Sequence, residues 1–222
     1  MTGLSTDAHS FPALAVETQR RLESLYGLEP HVPVSDFLIP HTQAEGLPGG
    51  GSRTLVTQDG DGVSLGVVFD HGVSARLHAH DPRLELSRMN LAPYCTLTEE
   101  VSHFLYLSYC AGRDRTTTQL ELELVGEVDK YLTIAHVLSL QNEGALSRSL
   151  REWMFRCYRL VEGLSREEAE RYRTASALAD RYCGHLERNF LRSSRHRELR
   201  NEARRFYRLG PRAKLERIDS LC

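Results

Sequence analysis

The stretch "TEEVSHFLYLSYC", Thr98 to Cys110, places Glu99, Glu100 and His103 at the head of an otherwise apolar run. On a helix each residue advances about 100°, so Glu99 and His103 share one face and can reach one ion. Leu107 and Cys110 continue that face, while Val101, Phe104 and Leu105 cover much of the remainder, which predicts a buried helix. A buried histidine needs a partner for each ring nitrogen. The next helical stretch, "LELELVGEVDKYLTIAHVL", carries Glu127 within an apolar stripe of Leu120, Leu124, Tyr131, Ile134 and Leu138. Glu123 lies one turn earlier, and the opposite side bears Asp129 and His136. An unpaired carboxylate on a core face costs several kcal/mol, so a metal, an arginine, Lys130 or His103 must compensate Glu127. Zinc and similar ions accept imidazole nitrogen and carboxylate oxygen at about 2.0–2.2 Å. Glu99, His103 and Glu127 are therefore the expected metal ligands.

A purely structural arrangement answers to the same residues. Thr96-x-x-Glu99 has the form of a capping box, and acidic groups favour the first helical turn. In that arrangement Glu99 and Glu100 are dipole partners, and His103 and Glu127 belong to a buried polar network in a non-catalytic helical interaction protein.

The elements that must position these groups follow from periodicity and turn chemistry. Pro12 to Leu28 is predicted as a helix, with Leu14, Val16, Leu22, Leu25 and Tyr26 on one side. "EGLPGGGS", Glu45 to Ser52, reads as a flexible linker. "RTLVTQ" is a strand and "DGDG" a turn. "VSLGVVFD" alternates Val63, Leu65, Val67 and Phe69 on one face, and "VSARLHA" alternates Val73, Ala75 and Leu77, predicting an antiparallel hairpin through "DHG". Asp81-Pro82 has the form of a helix start. Further helices are predicted over Thr96–Cys110, Thr117–Gln141, Leu146–Glu162, from the "SREE" capping box at Ser165 to about Leu191, and over Arg195–Leu209. The expected fold class is α+β, a small antiparallel sheet followed by a predominantly helical bundle, in one domain over residues 1–222. Within it, residues 1–50 hold the first helix and linker, 53–140 the sheet and site helices, and 145–222 the C-terminal helices.

"EEVSH" followed by "EVDKYL" on the next helix, after a small sheet, resembles the active-site pair of bacterial minimal zincin peptidases of the ImmA/IrrE type. That family carries HExxH on one helix and an E-A-x-x-F-like segment on the next. The resemblance covers about Arg53 to Leu140. It implies zinc or another divalent metal on His103 and Glu127, with Glu100 as the general base that activates a bound water. Glu99 occupies the position of the family's first histidine. An extra carboxylate makes the ion a weaker Lewis acid and its water less acidic, so the resemblance implies a degenerate site with a regulatory or binding role. Any activity would be that of a metal-dependent hydrolase. A ferritin-like metal-binding bundle would also use Glu100-x-x-His103 with Glu123 or Glu127, but it wants a second E-x-x-H, which the chain lacks, and the strands are out of place in it.

Composition narrows the remaining choices. The 222 residues carry a formal charge of −2, which gives no electrostatic reason to expect nucleic acid as a partner. Arg192 to Lys214 is locally basic and reads as a solvated face, or as the surface that meets a protein partner. Only Lys130 and Lys214 are lysines, a sign of a G+C-rich genome. There is neither a signal-like N-terminus nor an apolar run of membrane-spanning length. The five cysteines are scattered without a CxxC pair and read as thiols of a cytoplasmic protein. His78 and His80 form an HxH pair at a predicted strand end, and His185 is a possible remote ligand. The Gly-rich "GLPGGGS" has no following Lys-Ser/Thr and fails as a phosphate loop.

Overall fold

The protein is described by a computed structural model that covers residues 10–30, 32–44, 50–60, 62–144, 149–156 and 163–221. The described elements are predominantly helical with one small sheet, an α+β architecture. They group into two compact units, one of residues 1–23 and 29–114 and the other of 24–28 and 115–222. Among the described residues no helix is long and apolar enough to cross a membrane.

In the first unit, α1 begins at Phe11 and runs to Tyr26. Its Gln19 is 1 % exposed and organises the segment that follows. The side-chain oxygen accepts from the Val34 amide at 2.7 Å, and the amide nitrogen donates to the Val32 carbonyl and to Glu23. Those bonds satisfy backbone groups that no regular element would otherwise pair.

The sheet has three strands in the order β1 (Leu38–Ile39), β3 (Gly62–Val68), β2 (Arg53–Asp59). β2 and β3 pair antiparallel, with Thr54 opposite Val67 and Val56 opposite Leu65, whereas the hairpin predicted through "DHG" does not form. β1, however, pairs with β3 in parallel, so the sheet is mixed rather than antiparallel. β3 also does not alternate as predicted. Exposure falls along it, from Val63 at 46 % to Val67 and Val68 at 0 %, because β1 covers only its C-terminal end.

The segment expected as the third strand is helix α2, His71–Ala79. The Asp70 carboxylate accepts the Gly72 amide and caps it, which outweighs a short Val-Ala-Leu alternation. His78 and His80 consequently stand on an exposed helix end, not at the end of a strand.

No helix starts at Asp81-Pro82. The Asp81 carboxylate is engaged by the amide and guanidinium of Arg83, which makes a turn instead of a cap. Helix α3 runs from Leu91 to Ala111, so Thr96 lies inside it, its hydroxyl on the Ala92 carbonyl, and forms no capping box with Glu99. The entry to α3 is built by Asn90, 1 % exposed. Its side chain accepts from the Ser87 amide at 2.8 Å and donates to the carbonyls of Glu85 at 2.8 Å and His80 at 3.1 Å. Asn90→Ala leaves three backbone groups without their partner and should lower stability by about 1–3 kcal/mol, read as a lower midpoint of urea unfolding.

In the second unit, α4 spans Gln119–Gln141, capped by the Thr118 hydroxyl on the Glu121 amide. It packs on α6, Arg166–Leu186, whose buried Ala175, Ser176 and Ala179 are small enough to admit close approach. The predicted capping box starts α6, with reciprocal bonds between Ser165 and Glu168. These bonds hold the Glu168 carboxyl below its ordinary range. α6 ends in a π-helical turn, Glu187–Leu191. Helix α5, Leu150–Arg156, is the described part of the stretch predicted over Leu146–Glu162, whose remainder lies outside the described residues, as do most of the Gly-rich linker, Cys157 and Cys222. Helices α7 (His196–Arg208) and α8 (Pro211–Asp219) complete the unit.

Two polar centres are buried there. The Tyr26 hydroxyl donates to Asp129, and its ring stacks on Tyr207 at 4.0 Å. Burial, then the Asp129 charge, pushes the Tyr26 phenol well above its ordinary range, so it remains a donor. Asp129, assigned by periodicity to the side opposite the core, is 1 % exposed, because α4 is buried on nearly every side. Lys214, assigned to a solvated basic helix, is fully buried and ion-paired to Glu121 at 2.9 Å.

Candidate functional site

Glu99, Glu100 and His103 lie within α3, one turn apart and in the middle of a helix buried on most of its surface. Tyr94, Leu97, Val101 and Leu105 are at most 2 % exposed, and the Phe104 ring packs against Phe37 at 4.8 Å between centroids. This apolar setting lowers the local dielectric and magnifies any charge placed in it. His103 is 8 % exposed and Glu100 7 %.

Glu100 is tied to the sheet. The Thr54 hydroxyl on β2 donates to its carboxylate at 2.9 Å and lies 3.2 Å from its backbone carbonyl. The same carboxylate oxygen is 3.8 Å from Nδ1 of His103. The residue expected to act as general base is thus anchored by one hydroxyl and turned toward the imidazole.

On α4, Glu127 is half-buried, and its carboxylate accepts from the Lys130 ammonium at 2.9 Å. Lys130 was one of the compensating groups expected for it. Glu123, one turn earlier, is 7 % exposed. Glu99, His103 and Glu123 could hold a metal ion: each offers one ligand atom, and these atoms all lie within 4.8 Å of one another. Glu127 is not part of that group, so the α4 carboxylate in it is Glu123.

The donor set is chemically coherent. Two carboxylates and a neutral imidazole carry two negative charges, which balance a divalent cation. Tetrahedral bonds of about 2.1 Å would bring donors to about 3.4 Å apart. A mixed oxygen and nitrogen set suits zinc, manganese or ferrous iron, and is too rich in nitrogen for magnesium or calcium preference.

The other sequence candidates contribute less. His185 is half-buried, with Nδ1 at 3.1 Å from the Asn189 amide, and burial holds its imidazole below the usual range. Cys95 is half-buried, and Cys110 and Cys183 are buried. Burial pushes the Cys183 thiol well up, with the Glu127 charge adding to it, so it is a packing group and not a nucleophile.

Thr54 is the residue that the sequence reading missed. It lies in the predicted "RTLVTQ" strand, and its bond to Glu100 depends on where α3 crosses the sheet. No protein-family model, curated protein or solved structure matches this chain.

Proposed function

We propose that this chain is a zincin-like protein with a degenerate site, in which Glu99, His103 and Glu123 bind a divalent cation in a regulatory or binding role. The observation that carries the reading is the pair Glu99 and His103, four residues apart on α3, with the Glu100 carboxylate 3.8 Å from Nδ1 of the imidazole. The apolar setting of α3 supports it, since a low local dielectric strengthens the attraction between an ion and its carboxylate ligands.

The donor set also argues for binding over efficient hydrolysis. A second carboxylate donates more charge to the ion than a second imidazole would, leaving a bound water less acidic. The Glu100 carboxylate, which a peptidase would use as base, already accepts a hydrogen bond from Thr54. A cytoplasmic location accords with five scattered cysteines that form no CxxC pair. The basic surface of α7 remains the natural face for a protein partner.

Elemental analysis of the purified chain tests the reading. About one equivalent of zinc, iron or manganese is expected, or uptake of about one equivalent of added zinc, and His103→Ala should lose it. A parent protein that holds no metal and takes up none would overturn the reading and leave the group as a structural polar network.

A further inference from the structure

Glu100 stands in an unusual position for a general base. It is 7 % exposed, its carboxylate accepts the Thr54 hydroxyl at 2.9 Å, and the oxygen that does so lies 3.8 Å from Nδ1 of His103. Thr54 is on β2, paired through the hairpin to β3, so the carboxylate is referenced to the sheet and not to α3 alone. All three residues belong to the same compact unit. A histidine that binds a metal through one nitrogen commonly donates its other N–H to a carboxylate. That bond sets the tautomer, orients the ring and raises its basicity.

We infer that Glu100 is a positioning residue: anchored by Thr54, it takes the Nδ1–H of His103 and thereby presents Nε2 to the cation. The inference rests on the metal-binding reading above. The 3.8 Å separation exceeds a hydrogen bond, and such contacts tighten when a ligand draws the ring into place. One helical turn separates Glu100 from His103, so a small χ rotation suffices without backbone movement. No proton leaves the pair. The carboxylate accepts a hydrogen bond, the imidazole stays neutral, and its Nε2 lone pair goes to the metal. The same residues therefore give Glu100 a role that requires no turnover.

Zinc affinity of the full chain, measured by competition with a chromophoric chelator, provides the test. Glu100→Gln keeps the shape but loses the charge, and should weaken zinc binding by about 10–100-fold while the fold persists by circular dichroism. Thr54→Val, which removes only the anchoring hydroxyl, should weaken binding in the same direction, and Thr54→Ser should restore it. In zinc-loaded wild-type protein, long-range 1H–15N spectra should show His103 protonated at Nδ1 and metallated at Nε2. A merely structural role for Glu100 would change the melting temperature without setting that tautomer.

Each contrary outcome is distinct. Wild-type protein that binds no zinc sinks the metal reading and this inference together. Wild-type binding with Glu100→Gln unchanged within about twofold, or with Nδ1 metallated, sinks the inference alone. Complete loss of zinc in Glu100→Gln, matching His103→Ala, would make Glu100 a direct ligand and also overturn it. Should Glu100→Gln fail to fold, the Thr54 pair and the wild-type spectra decide the matter.

Discussion

Glu121→Leu is expected to cost about 3–5 kcal/mol of unfolding free energy, read from urea denaturation followed by circular dichroism. Glu121 is 3 % exposed and Lys214 is wholly buried, with the ammonium 2.9 Å from the carboxylate. The same carboxylate accepts from the Arg115 guanidinium, and from the Thr117 hydroxyl at 3.0 Å. Removing it leaves two cations facing each other in a low-dielectric interior, the costliest way to break such a group. The positive groups retain some partners. Lys214 donates to the carbonyls of Tyr207 and Leu209 and lies 5.6 Å over the Phe206 ring, while Arg115 donates to Leu209 at 2.7 Å. Those dipoles do not replace a full charge. Lys214→Met should therefore be milder, because Arg115 and Thr117 still serve Glu121. Adding Lys214→Met to Glu121→Leu should recover part of the loss, since the double variant buries one cation fewer. A Glu121→Leu protein as stable as the parent would show that this network does not hold α8 to α4.

Zinc at a hundredfold excess over its dissociation constant is expected to stabilise the protein by about 2.7 kcal/mol, seen as a higher melting temperature that a chelator reverses. The size follows from mass action alone, because an ion that binds only the folded state shifts the equilibrium by its occupancy. Variants locate the ligands. His103→Ala and Glu123→Gln should abolish the shift, while Glu127→Gln should keep it, since Glu127 lies outside the ligand group and is bonded to Lys130. His103→Ala should also lower the metal-free stability more than Glu127→Leu, because it deprives the buried Glu100 of the ring beside it. Loss of the shift in Glu127→Gln with retention in Glu123→Gln would restore the ligand set expected from the sequence.

The local signals held where both partners lie within one turn. The Ser165–Glu168 capping box started α6 as predicted, and the long apolar runs located α3 and α4, since burial of a helix is written in its own periodicity. Signals failed where a distant or nonrepeating partner decided. The Val73-Ala75-Leu77 alternation was too short to outweigh a cap at Asp70. β1 has only two residues and exists because β3 offers it an edge. The start of α3 depends on Asn90 reaching back to His80 and Glu85, and the fate of Lys214 on Glu121, far earlier in the chain.

The candidate site divides along the same line. Glu99 and His103 were legible because a four-residue spacing places two groups on one helix face whatever the rest of the chain does. The choice between Glu123 and Glu127 was not. They too are four residues apart, about 40° around α4, so periodicity assigns both to nearly the same direction. They differ by about 6 Å along the helix axis, a coordinate on which periodicity is silent. The same holds for Thr54, whose hydroxyl meets Glu100 because the fold lays α3 beside β2. By itself the sequence determined the helix face and the chemical types; the tertiary structure decided which groups meet.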